Sequence, residues 1–340
     1  MSRHTGGYIL VATIWVLAFL GIAAASIAQW YGKSLQLAGN RVDASNGGIA
    51  ELSTRATLLY KIATADIGRA GVFLSPAADE ESVISGFARI RAGRADLIFD
   101  GVAYQGYGFT RFAIQDESGL YGIVPQATGR TQALLAQHGV DYREAEVMAA
   151  RLADYVDADD LVSINGAEAR DYRSRGLPPP RNRRLESPHE LQAVMGWSEH
   201  RDLWADNAFA NRVSLSWAGM PNSATAPEDV LLRMRGATPE RVAGLIAQRH
   251  GSDEVDDEVN SWIRDLVANN EFGSTPRPSL GLRMRFWHEG EGQLREYAVK
   301  FTPGNQAPAP WIIENNYRQP LPKGYLSETA RTAQLPDFVL

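Results

Sequence analysis

The chain has 340 residues, 44% hydrophobic and 22% charged, and a formal net charge of -6 from 34 Lys and Arg against 40 Asp and Glu. This composition is globular, with room for two or three domains, and its acidic balance argues against broad phosphate-backbone binding, which needs a basic face. There are no cysteines, which excludes disulfide staples, thiolate metal sites and a cysteine nucleophile.

In chain order, a short polar leader, MSRHTGG, precedes the apolar run Tyr8–Trp30, and no charged side chain lies between His4 and Lys33. That run suffices for one helix across a bilayer, which takes roughly 20 apolar residues. Gly6 and Gly7 stand before the run, whereas a secretory signal peptide has its small-residue cleavage site after it. A cut between Gly7 and Tyr8 therefore leaves the helix on the mature chain; an uncut signal anchor fits the same residues. Arg3, His4 and the amino group hold this end in the cytoplasm and place the remainder across the membrane.

From Gly32 to about Ala65 the pattern stays helical, with Ile49, Leu52, Ala56, Leu59 and Ala63 on one expected face. Gly39, Gly47 and Gly48 weaken the middle, so a bend or break is expected there. Ala95–Ala103 and Tyr107–Gln115 read as strands, followed by the turn Asp116-Glu117-Ser118-Gly119 and then Leu120–Pro125. Helices are expected at Arg130–His138, Tyr142–Val156, Pro188–Val194, Pro227–Met234, Pro239–His250 and Asp256–Ala268, with Ser187 and Thr238 as caps. Strands return near the C-terminus. Leu280, Leu282, Met284 and Phe286 alternate with Gly281, Arg283 and Arg285, as in a half-buried antiparallel sheet. Gly290-Glu291-Gly292 turns this strand into the next, around Tyr297, Val299 and Phe301, and Trp311–Asn315 is a third. The expected fold is α+β: a long N-terminal helix packed on an antiparallel β-sheet, with a large all-helical domain inserted into the sheet region. Its parts are a leader (1–7), the membrane and amphipathic helix (8–65), the sheet region (66–125 and 271–340) and the insert (126–270).

The acidic loop after Tyr142–Val156 is the best candidate for chemistry. Calcium takes about six to eight oxygens, mostly carboxylates and carbonyls on a flexible loop. With Asp157 as the first position of an EF-hand loop, Asp159 is third, Asn165 ninth and Glu168 twelfth, but Leu161 stands fifth and Val162 in the glycine position. The loop is therefore not an EF-hand, though Asp157, Asp159, Asp160 and Glu168 supply similar oxygens. A solvated acidic turn at a helix end accounts for the same residues. No catalytic constellation stands out: the six histidines show neither metal-ligand spacing nor a neighbouring nucleophile motif. The pair Leu231–Arg249 around Gly236 has the outline of a DNA-gripping helical hairpin. Thr238 takes the place of its second glycine, however, and Asp253, Glu254, Asp256, Asp257 and Glu258 repel phosphate. No nucleic-acid partner is expected.

The Gly-terminated leader, Tyr8 and the uncut apolar helix resemble a type IV prepilin. Leu152–Asp160 (LADYVDADD), Gly166-Ala167-Glu168 with Tyr172, Pro178–Pro180 with Asn182 and Leu185, the Asp116–Gly119 turn and Asn222–Pro227 (NSATAP) narrow this further. Their order is similar to that of the K-type minor pseudopilin of bacterial type II secretion systems, from the leader to about His250. The resemblance implies a non-enzymatic subunit in the tip complex of a secretion pseudopilus, which helps to start assembly for export across the outer membrane. It also implies cleavage by a prepilin peptidase, with methylation, companion minor pseudopilins and the major pseudopilin as partners, and calcium in the insert. The expected location is the inner membrane, single-pass, with the soluble part in the periplasm. Pilin-like subunits mostly carry a glutamate as the fifth residue after the cut, where Ala12 stands here; a subunit with no neighbouring amine to meet has no use for one. A minor pilin of a type IV pilus or competence pseudopilus is the nearest alternative. An anchored envelope protein with a nucleic-acid- or ligand-binding helical domain is one of another class.

Overall fold

The computed structural model describes residues 6–74, 83–85, 88–90, 95–205, 208–216, 218–251, 257–269, 271, 278–279, 281–302, 309–326 and 333–334. Helix α1 (Gly6–Thr64) is unbroken over 59 residues. Five short strands follow: β1 (Asp66–Ile67), β2 (Gly71–Phe73), β3 (Val83–Ser85), β4 (Ala88–Ile90) and β5 (Leu97–Ile98), in the order β3-β4-β1-β2-β5. Then come β6 (Asp100–Gln105), β7 (Thr110–Asp116) and β8 (Tyr121–Gly122). The insert holds α2 (Thr128–Gln137), α3 (Tyr142–Val156), α4 (Ala169–Ser174), α5 (Arg201–Trp204), α6 (Ala208–Arg212), β9 (Val213–Ser214), α7 (Glu228–Leu231), α8 (Pro239–Arg249) and α9 (Asp257–Ala268). Strands β10 (Gly281–His288), β11 (Gln293–Phe301) and β12 (Trp311–Pro320), the turn α10 (Lys323–Leu326) and β13 (Ala333–Gln334) end the described chain.

The main sheet runs β12-β11-β10-β7-β6-β13 and is antiparallel except where β13 joins β6. The α+β reading therefore holds. One face of the sheet packs on the last turns of α1: Leu58, Leu59 and Ile62 meet Phe112, Ile114, Met284, Phe286, Tyr297 and Val299 in one apolar cluster. The outer part of α1, from Leu10 on, leaves the soluble body as a bare rod whose most apolar window has none of its residues buried.

Three expectations are corrected here. No break occurs at Gly39, Gly47 or Gly48. The buried stripe of α1 is set by Thr54, Leu58, Leu59 and Ile62, whereas Ile49 and Leu52 are 61% and 55% exposed; contact with the sheet, not apolar spacing alone, selects the face. The sheet is also not half-buried. Arg283 and Arg285 are 3% and 6% exposed, because the insert covers their face. The Arg283 guanidinium donates to Glu117 at 2.9 Å and to the carbonyls of Ala210 (3.1 Å) and Val213 (2.9 Å). Arg285 donates to Glu296 at 2.6 Å and to Asn211 at 2.7 Å. Glu296 also accepts from Gln319 at 2.8 Å and from the Tyr317 hydroxyl. Buried charges of this kind need complete pairing, and here the pairing keys insert to sheet.

Within the insert, α2 and α3 pack with Tyr172, Trp197, Leu203 and Phe209 in one cluster, while α7, α8 and α9 form another around Val230, Leu231, Leu245, Trp262 and Leu266. Ser187 and Thr238 cap as expected, accepting from the His189 and Arg241 N–H groups. Pro188–Ala193 is a 3-10 helix, and the segment expected at 227–234 shortens to α7. The buried Asp116 carboxylate accepts from Ser118, from the Thr225 hydroxyl at 2.7 Å and from Ser279 N at 2.9 Å. It thereby ties the turn, the NSATAP loop and the strand entering β10 together.

Candidate functional site

Helix α3 begins behind Asp141, whose carboxylate accepts from the Arg143 and Glu144 N–H groups. Ala145, Met148, Ala149 and Leu152 bury one face, and that packing turns Asp154, in the last turn, fully inward at 0% exposure. Asp157 follows three residues later and so lies on the same side of the helix end. The chain then loops back. Ser163 donates its N–H to Asp154 at 3.1 Å and its hydroxyl to the same carboxylate. Gly166 approaches so closely that a Cβ there would stand 1.9 Å from Asp154 Oδ2. This close approach brings in Glu168, 2% exposed, whose N–H donates to the Asp171 carboxylate at 3.1 Å as α4 begins.

The result is a cluster of three carboxylates, Asp154, Asp157 and Glu168, each with an oxygen within 4.8 Å of the others. Asp157 Oδ1 is buried without a hydrogen-bond partner, and the buried Glu168 oxygens have only the backbone N–H groups that open α4 beside them, as one half of a capping box. Burial first, and the neighbouring carboxylates of Asp157, Asp154 and Asp160 next, push Glu168 up to about 7. Burial followed by Asp159, Asp154 and Asp160 raises Asp157. Buried anionic oxygens without donors are costly unless paired, and carboxylates without nitrogen or sulfur suit a hard cation such as calcium. The residues therefore fit a cation.

Of the residues expected to bind metal, the fold brings Asp157 and Glu168 together and leaves Asp159 and Asp160 exposed outside the cluster. Asp159 accepts instead from the Leu161 N–H at 2.9 Å, and Asn182 donates to the Asp159 carbonyl at 3.1 Å. Asp154 was the residue that sequence reasoning missed. Its signal is the three-residue step to Asp157 at a helix end, which stacks two carboxylates on one side. The Gly7–Tyr8 bond lies in the first turn of α1, where N–H groups lack helical partners. Arg3 and His4 lie outside the described residues, as do Asp253, Glu254 and Asp256. Asp257 and Glu258 open α9, where carboxylates favour the helix dipole.

Two blocks that mark the resemblance, LADYVDADD and Gly-Ala-Glu, thus form one site. The family model described as "Type II secretion system (T2SS), protein K" covers residues 114–201, from β7 into the insert. Those residues match protein K. The K-type resemblance read from the sequence is borne out over that stretch, which holds the whole carboxylate cluster. The solved GspK-GspI-GspJ complex from the enterotoxigenic Escherichia coli type 2 secretion system is similar to the chain at 15% identity and a TM-score of 0.44, over 83% of this chain and 98% of that one. No curated protein matches the chain in sequence.

Proposed function

We propose that this chain is a structural minor pseudopilin of a type II secretion system, one subunit of the complex at the tip of the pseudopilus. The match of residues 114–201 to protein K carries this reading. The α1 rod supports it, since an exposed apolar helix joined to a sheet-packed end is how a subunit is both anchored and assembled. The helix crosses the inner membrane once and the body stands in the periplasm. Companion minor pseudopilins are the partners, as GspI and GspJ are for GspK in the E. coli complex; the major pseudopilin follows behind them. Calcium binds Asp154, Asp157 and Glu168, supplying the positive charge that these carboxylates lack and tying the loop to α3. Tip placement also agrees with Ala12, since an unpaired carboxylate in a bilayer costs roughly 2.5–3.5 kcal/mol on insertion scales and is retained where a neighbour's amine meets it.

The test is mass spectrometry of the N-terminus from cells with and without a prepilin peptidase. The expected mature chain starts at Tyr8, and Gly7→Val blocks the cut by crowding the peptidase site. A chain that keeps Met1 to Gly7 in both strains, or a Gly7→Val chain cut as fast as the parent, overturns the pseudopilin reading.

A further inference from the structure

Strand β12 is 10 residues long and stands at the edge of the main sheet, where among the described strands it pairs with β11 alone. The other edge is covered by β13 lying along β6. Among the described residues, the main chain of 311–318 makes no hydrogen bond outside the β11 ladder. In an antiparallel pair, alternate residues turn their N–H and C=O groups away from the partner, so β12 presents a row of them outward. Protein edges of this length are ordinarily shortened, covered, bulged or interrupted by charge or proline; β12 has one bulge, at Glu314, where Ala298 pairs with Asn315 but Val299 with Ile313. β12 has no lysine, its proline is the last residue, and Ile312 and Ile313 are 46% and 39% exposed.

The insert leaves this edge open while building a wall beside it. Residues 181–190 lie over the inner face of β12: His189 hydrogen-bonds Gln319 at 3.0 Å, and Asn315 donates to the Glu186 carbonyl at 2.9 Å. Between wall and strand runs a cleft of about 440 Å³ lined by Arg181, Glu190, Asn315, Tyr317 and Arg318. Glu190 uses one oxygen on Arg181 at 3.3 Å, and its other, Oε2, is buried without a partner. Its lining side chains are mostly polar or charged, and the unpartnered Glu190 oxygen suits a peptide side chain with a donor.

We propose that β12 takes an extended segment of a companion minor pseudopilin as a seventh strand. Its backbone would complete the open ladder, its aliphatic side chains would cover Ile312 and Ile313, and a donor side chain would reach Glu190 Oε2. Hydrogen bonds between main chains supply affinity in such strand addition, and side-chain pockets supply choice of partner. The identity of the partner rests on the functional reading above.

Hydrogen exchange by mass spectrometry on the full chain in detergent, alone and with its companion minor pseudopilins, tests this. Peptides spanning 311–320 are expected to slow on assembly at about half of their amides, the outward-facing ones. The double variant Ile312→Lys, Ile313→Lys changes two surface side chains, so it keeps its melting curve but binds the companions about tenfold more weakly or worse. A complex that forms with exchange across 311–320 unchanged, or with the lysine variant bound as tightly as the parent, overturns strand addition and leaves the functional reading standing. No complex at all overturns both.

Discussion

Arg283 and Arg285 occupy positions that strand alternation marks as outward, yet both lie beneath the insert. Burial alone raises Glu296, but Arg285 and Arg283 outweigh it and hold that carboxyl below its ordinary 4.5. Breaking a buried pair by removing one partner costs about 3–5 kcal/mol, because the other charge stays buried and uncompensated. Arg285→Leu should therefore lower the urea midpoint by that equivalent, whereas an exposed pair such as Arg241–Glu258 should contribute at most about 1 kcal/mol. The pH dependence follows from the sign of the shift. A carboxylate depressed in the fold stabilises it above its unfolded value and loses that contribution as pH falls below it. Acid melting of the parent should thus steepen below about pH 4.5 through Glu296, joined by Asp100, whose burial is outweighed by His250 and Arg249. Arg285→Leu should flatten the Glu296 part of that slope.

At the scale of elements, α1 shows why glycines misled the sequence reading. A glycine costs helix propensity, so three of them predicted a break. In the fold, Gly47 lies where a Cβ would sit 3.3 Å from the His288 ring at the end of β10. The same closeness recurs on the sheet side. A Cβ at Gly106 would lie 2.6 Å from Thr54 Cγ2, and Thr54 is fully buried, with its hydroxyl accepting from the Tyr107 N–H at 3.0 Å. Helix and strand connection approach this nearly because both lack bulk there. Gly106→Ala should cost about 1–3 kcal/mol by overpacking, read as a lower melting temperature with earlier proteolysis of the segment from Thr54 to Thr64. An unchanged melt would mean that α1 can shift on the sheet without loss. The boundaries of α3 followed local signals: it spans Tyr142–Val156 as expected, and the structure adds Asp141 as its cap. The short strands β1 to β4 carried no such signal, because two or three residues are too few for alternation to show, whereas β5 lies within the strand read at Ala95–Ala103.

At the scale of the whole molecule, the calcium proposed for the carboxylate cluster would link ion binding to folding. Binding to the folded state alone adds RT ln(1 + [L]/Kd), about 2.7 kcal/mol at a hundredfold excess over Kd. Melting of the full chain should fall in chelator and recover with calcium, and Asp154→Asn should remove most of that difference while Asp159→Asn leaves it. The same melt with and without chelator, and no calcium in metal analysis, would leave an acidic turn and no ion site.

What the sequence determined by itself was whatever is local. The charge-free run before Lys33 marked the exposed apolar helix, Gly6-Gly7 marked the proposed cut, and period-two alternation from Leu282 to Phe286 named a strand. The α+β order was legible because each long element carries its own periodicity. Only the tertiary structure decided which face of α1 is buried, that Arg283 and Arg285 are interior, and that Asp154 rather than Asp159 or Asp160 joins Asp157 and Glu168. Those outcomes depend on what packs opposite. Glu296 meets Arg285 only through the β10–β11 register, and Glu168 meets Asp154 only because the chain turns back at Gly166. Sequence spacing describes neighbours along the chain, whereas burial and charge pairing are set by neighbours across it.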